Sequence, residues 1–189
     1  MPRRRNAAAL ALALLLGMSL AGCVQQPTHV IPTSEPSSKP VFESDAAALA
    51  AAKKTFSRYL AISDQVANDG GANADRLSVV DSAAQLKRDT AAFAKLKASG
   101  EHTIGQSTFS DAALERSEVV DGGAQVVAYI CMRVDGTQLL DSTGADVGAN
   151  RPLSVPLEVS FVSSSGGPKT SLIVDRSVGW SGKNFCSSE

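Results

Sequence analysis

Few residues in this chain have side chains suited to nucleophilic or metal chemistry. Among 189 residues there are three cysteines and two histidines. The histidines, His29 and His102, are far apart and lack the H-x-x-x-H spacing by which one helix face grips zinc. Glu101 adjoins His102, but neighbours on an extended strand point to opposite faces, which argues against an acid–base dyad. Asp141 to Asn150 offers oxygen ligands without the alternating acids and closing glutamate of a calcium loop, so it reads as a surface loop. No Gly-x-Ser-x-Gly elbow, phosphate loop or dinucleotide fingerprint occurs. The sequence therefore predicts no catalytic residues, no metal site and no cofactor. What remains is the chemistry of three thiols: Cys23, Cys131 and Cys186.

Cys23 closes a three-part N-terminal pattern. Arg3, Arg4 and Arg5 would hold the start on the cytoplasmic side, and an apolar stretch from Ala7 to about Leu20 suits a translocation channel. The small residues Ala21 and Gly22 let a peptidase approach the bond before Cys23. The stretch is short for a transmembrane helix, which needs about 20 apolar residues. Leu20-Ala21-Gly22-Cys23 resembles the lipobox of bacterial lipoproteins, in which the cysteine thiol receives diacylglycerol and becomes the new N-terminus. The resemblance implies a palmitate-type lipid anchor on Cys23 and a location on the extracytoplasmic face of the cell membrane. An ordinary cleaved signal and an uncleaved anchor are the alternatives.

An exported chain with an odd cysteine count fits lipid on one and pairing of the other two. A Cys131–Cys186 disulfide would close a loop of about 56 residues and restrict the unfolded chain by roughly 4 kcal/mol in the entropic model. Two separate buried thiols are the alternative.

Cleavage before Cys23 removes three arginines and no acids, leaving 15 basic residues against 19 acidic ones. That balance, with export, argues against nucleic acid as a partner. Residues 23–43 carry Pro27, Pro32, Pro36 and Pro40 among Gln, Thr and Ser, a composition that favours an extended tether. Extended at about 3 Å per residue, it would hold a domain up to about 60 Å from the membrane. Residues 1–22 are thus read as signal, 23–43 as lipidated cysteine and tether, and 44–189 as one domain.

The domain opens with Ser44, a helix N-cap, followed by Leu49, Ala52, Phe56, Tyr59, Leu60 and Val66 at helical spacing, with Ser63 the polar member of that face. Gly70-Gly71 stops this helix. A short segment, 76–80, leads to a second helix from about Ser82 to Ala98, with Leu86, Phe93 and Leu96 on its buried side and Gly100 ending it. From His102 the period becomes alternating, and strands are predicted at 102–110, 113–120, 124–134, 137–141, 154–163, 170–176 and 177–180. The third is apolar on both faces, which predicts a central strand. Asp135-Gly136 suits a tight hairpin turn, and Pro156 a strand start or edge.

Helices followed by antiparallel strands predict an α+β domain with helices packed on a curved sheet. The order resembles the nuclear transport factor two-like (SnoaL-like) fold, in which helices and a curled sheet form a cone around a pocket. Val127-Ala128-Tyr129-Ile130-Cys131 and the ending Trp180-Ser181-Gly182-Lys183-Asn184-Phe185-Cys186, with the lipobox and Pro-rich tether, resemble uncharacterised lipoproteins of high-GC Gram-positive bacteria. This resemblance would cover about residues 45–187. It implies a cone pocket bordered by Phe56, Tyr59 and Trp180. Trp180 reads first as a core cover beside the disulfide and second as a pocket or partner residue. Enzymes of this fold often carry an acid inside the cone; Asp64 is the candidate, but its facing is ambiguous and a solvent-exposed acid is the preferred reading.

The leading expectation is a non-catalytic envelope lipoprotein that docks another envelope protein. The alternatives are small-molecule or lipid binding in the pocket and, third, a SnoaL-like isomerase or hydrolase.

Overall fold

The computed structural model describes residues 39–186. The signal segment, Cys23 and the tether up to residue 38 lie outside the described residues.

Local side-chain chemistry sets the helix ends. Ser44 is extended, and its Oγ accepts from the Ala47 N–H at 3.1 Å, starting α1 (Asp45–Asn68). Ser82 does the same for α2 (Ala83–Ser99), accepting from Gln85 N–H at 3.2 Å, and left-handed Gly100 ends it. Each cap satisfies an N–H that the first turn leaves without a partner. Between the helices, a 3₁₀ helix spans Ala74–Val79.

The strands are β1 (His102–Gly105), β2 (Thr108–Val120), β3 (Gly123–Arg133), β4 (Thr137–Leu140), β5 (Ser154–Ser163) and β6 (Leu172–Gly179). They form an antiparallel sheet in the order β2-β3-β5-β6 and a separate pair, β1-β4. Register shifts within β2 and between Ser160 and Phe161 mark bulges, which bend and twist strands. The result is an α+β domain with helices on curved antiparallel sheets that do not close into a barrel.

One face of the four-stranded sheet meets α1. Ala48, Ala52, Phe56 and Leu60 bury against Val126, Ala128 and Ile130 of β3, Leu157, Val159 and Phe161 of β5, and Val174 of β6. Alanine at two of these helix positions leaves room for close approach of the sheet, and Phe56 fills the space between.

Several expectations need revision. Val41 and Phe42 pack on the core, so the folded unit reaches into the segment read as tether. The strand expected over 102–110 is two strands. At Gly105, φ is +91° and a Cβ would lie 2.1 Å from the Gly136 carbonyl oxygen, so the chain turns there in a shape that favours glycine. The segments 170–176 and 177–180 form a single strand, β6. Asp135-Gly136 does form a turn, with Thr137 N–H donating to Val134 O at 3.0 Å, but β4 then pairs with β1 instead of folding back on β3. The tight hairpin is made by Asp121-Gly122, with φ of 51° and 73°, joining β2 to β3. On α2 the buried residue is the polar Gln85; Leu86, Phe93 and Leu96 are half-buried. Pro156 lies within the inner strand β5, opposite Cys131 of β3, two residues from the strand start.

Candidate functional site

A cavity of about 230 Å³ lies between α1, α2 and the strands, lined by Tyr59, Ser63, Asp64, Asp89, Phe93 and Arg151 among others. Its polar lining is largely engaged. Asp64 is buried and its carboxylate accepts from the Ser107 N–H and hydroxyl, each at 2.8 Å. It thereby fixes the chain break between β1 and β2. Arg151 donates to the Val134 and Thr137 carbonyls at 3.2 and 2.6 Å, tying its loop to the β3–β4 connection.

Behind the cavity a polar cluster joins α1, α2 and β6. The Tyr59 hydroxyl donates to Asp89 at 3.0 Å, and Gln85 Nε2 donates to the other Asp89 oxygen at 2.9 Å. Gln85 Oε1 accepts from Arg88 at 2.9 and 3.0 Å and from the Ser177 N–H at 3.2 Å. Arg88 also donates to the Asp175 carbonyl. Burial, and then the Asp89 charge, push the Tyr59 phenol well up, so it stays a donor.

Asp81 completes the cluster. It is 5% exposed, and neither carboxylate oxygen receives a hydrogen bond. Burial, and then the neighbouring Asp89 carboxylate, push Asp81 up to about 8, against the opposing Arg88 charge.

The opposite face of the sheet carries a second feature. Tyr129 of β3 meets Trp180 edge-on, ring centroids 4.9 Å apart, and Phe185 at 5.9 Å. The Trp180 N–H of the backbone donates to Pro156 O at 2.8 Å, and its indole N–H to Lys183 O at 3.2 Å. Cys131 and Cys186 are at disulfide distance with Cα atoms 5.4 Å apart, stapling this C-terminal segment to β3. The three rings stay part-exposed. Partial burial, then the Glu115 and Glu158 carboxylates, raise the Tyr129 phenol, while Arg116 lowers it.

The expected pocket trio is therefore split. Tyr59 borders the cavity, Phe56 is buried in the core against Tyr59 and Phe109, and Trp180 sits across the sheet with Tyr129. The reason is strand alternation: Ala128 and Ile130 face α1, so Tyr129 and Cys131 face away. The Asp141–Asn150 loop is organised internally, with Asp141 accepting from Thr143 and Ala145; the Thr143 hydroxyl and these N–H groups hold its carboxyl below the usual range. Among the described residues no group of three or more His, Cys, Asp or Glu gathers as a metal site, and no helix is long and apolar enough to cross a membrane. Asp81, Gln85, Asp89 and Arg151 were not singled out from the sequence; the i, i+4 spacing of Gln85 and Asp89 was the available signal.

No family model matches the chain, and no curated protein matches it. Among solved structures, it is similar to the intermembrane space region of the chloroplast protein ARC6, with a TM-score of 0.50 and 15% identity over 69% of this chain and 95% of that one. What the likeness shows is the fold.

Proposed function

We propose that this chain is a lipoprotein anchored through Cys23 on the extracytoplasmic face of a bacterial membrane, and that its domain is a non-catalytic docking module for another envelope protein. The anchor rests on the Arg-rich start, the apolar run and Leu20-Ala21-Gly22-Cys23. The observation that carries docking is the Tyr129–Trp180–Phe185 cluster, part-exposed and bordered by Glu115, Arg116 and Glu158. Aromatic rings and arginine dominate the energetic centres of protein interfaces, and a polar rim is their usual surround. Held by β3 and the Cys131–Cys186 staple, the rings lose little further freedom on binding.

Membrane fractionation with mass spectrometry tests the anchor: a mature protein starting at diacylglyceryl-Cys23 is expected, and a soluble species starting elsewhere contradicts it. For docking, the Trp180→Ala protein should lose a partner that co-purifies with the wild-type chain while retaining the wild-type fold by circular dichroism. Full retention of that partner contradicts the assignment.

A second reading, binding of a small molecule or lipid, is favoured by the cavity beside Tyr59 and Asp89. At about 230 Å³ it falls below the ~300 Å³ at which drug-sized ligand pockets begin, so its occupant would be small.

A further inference from the structure

The attachment of α2 is unusual. Its buried residue is Gln85, its apolar residues Leu86, Phe93 and Leu96 are only half-buried, and its bonds to the rest of the domain run through Gln85, Arg88 and Asp89. A helix held this way depends on its polar contacts more than on apolar burial.

At the hinge between the 3₁₀ helix and α2 sits Asp81, 5% exposed, with no N–H or O–H donating to either oxygen. Its backbone is fixed. The Asp81 N–H donates to Leu77 O at 2.9 Å, and the flanking Val80 and Ser82 exchange bonds with Val174 of β6 at 2.7 and 2.8 Å. These bonds hold the Asp81 backbone against β6, and its side chain is enclosed there. The groups facing it are Tyr59 of α1 and Asp89 and Arg88 of α2. β6 contributes backbone at Val174 and the Asp175 carbonyl, the latter already held by Arg88. Arg76, earlier in the same segment, is paired with Asp69 at 2.6 Å, and Arg58 of α1 lines a separate groove over Val80.

A buried carboxyl that receives no donor, set beside a second carboxylate, does not ionise readily at neutral pH unless a cation sits between the two. Arg88 is turned to Gln85 Oε1 and the Asp175 carbonyl. Asp89 already accepts from Tyr59 and Gln85, whereas no group donates to Asp81, so Asp81 is the acid.

We propose that Asp81 and Asp89 share one proton, that this proton latches α2 onto the domain, and that its loss at rising pH loosens the helix. In the closed form Asp81 is the carboxylic acid and donates its O–H to the Asp89 carboxylate. On opening, the proton passes to water, and two adjacent negative charges push the 3₁₀–α2 junction away from Asp89. The raised acidity range of Asp81, up to about 8, agrees with this geometry.

Hydrogen–deuterium exchange of the full chain in detergent, corrected for intrinsic rates, tests the latch. Between pH about 5.5 and about 8, α2 amides should lose at least about tenfold in protection, the size expected when opening releases one proton. The β3 amides should show no such loss. Asp81→Asn, whose amide can donate to Asp89 as the acid does, should keep α2 protected at both pH values. Equal α2 protection in the wild type at both pH values, or an unchanged pH dependence in Asp81→Asn, would overturn the proposal. Should that variant fail to fold, ¹³C-carboxyl NMR of wild-type Asp81 decides. A midpoint far above the ordinary aspartate range supports the shared proton, and an ordinary midpoint near ~4 overturns it.

Discussion

The Tyr59 hydroxyl on α1 donates to the Asp89 carboxylate on α2 at 3.0 Å, across 30 positions of sequence. It is a direct side-chain bond between the two helices, and it ends at the cavity and at the acid pair behind it. Removal of the phenol takes one donor from Asp89 and leaves it Gln85 and the protonated Asp81. Tyr59→Phe should therefore cost about 1–3 kcal/mol, the range for a buried acceptor left short of a partner. Urea denaturation reads this as a lower midpoint at unchanged slope, and an unchanged midpoint would mean that water replaces the phenol without loss.

Stability should fall as pH rises from about 4 to about 8. The sign follows from Asp81, whose folded value is raised from 3.8 to about 8. The folded state binds the proton more tightly than the unfolded chain, so the contribution is full below the unfolded value and is lost on passing upward to the folded one. Asp141 and Asp135 work oppositely, since their values are lowered, and their contribution disappears below the ordinary aspartate range. Thermal melts across pH should therefore show a maximum on the acid side of neutrality. Asp81→Asn should flatten the alkaline limb and leave the acid limb intact.

Reduction, or Cys186→Ser, should cost roughly 2–5 kcal/mol, the usual loss for a native disulfide in a small exported domain. It should also release Trp180 and Phe185 from Tyr129, shifting tryptophan fluorescence to longer wavelength, because Trp180 is the sole tryptophan in the chain. Two titratable thiols in the denatured, unreduced chain after blocking of Cys23 would contradict the bridge.

Gly105→Ala should disrupt the β1–β4 pair selectively. The added Cβ would lie 2.1 Å from the Gly136 oxygen in a backbone of φ +91°. Non-glycine residues in such sparsely populated backbone regions cost about 1–3 kcal/mol even before the clash. Amide exchange should rise in 102–105 and 137–140 while β3 and β5 stay protected; a uniform loss would mean that the pair and the main sheet unfold together.

The helix ends were legible because their causes are local. Ser44, Ser82 and Gly100 act on backbone groups within four residues. β3 was legible because both of its faces are apolar. Sheet order was not, since pairing of His102–Gly105 with Thr137–Leu140 is decided by contacts far apart in sequence. The two Asp-Gly pairs show the same limit. Asp121-Gly122 joins two long strands in register and becomes the hairpin, whereas Asp135-Gly136 hands the chain to another sheet. The acid cluster was hidden for a related reason. Gln85 and Asp89 look like a solvated helix face until α1 and β6 close over them. The pocket trio failed because Phe56 is buried in the core and because the segment after β6 packs Trp180 on Tyr129, which strand alternation turns away from α1.

The docking assignment is tested most directly by photo-crosslinking in intact cells from a residue beside the aromatic cluster. A crosslinker replacing Glu158 sits next to Tyr129 in register, and one replacing the exposed Lys53 on α1 serves as control. A discrete adduct with one envelope protein is expected from position 158, absent from position 53 and lost with Trp180→Ala. No adduct at 158, or the same adducts from both positions, would contradict a docking surface on this face.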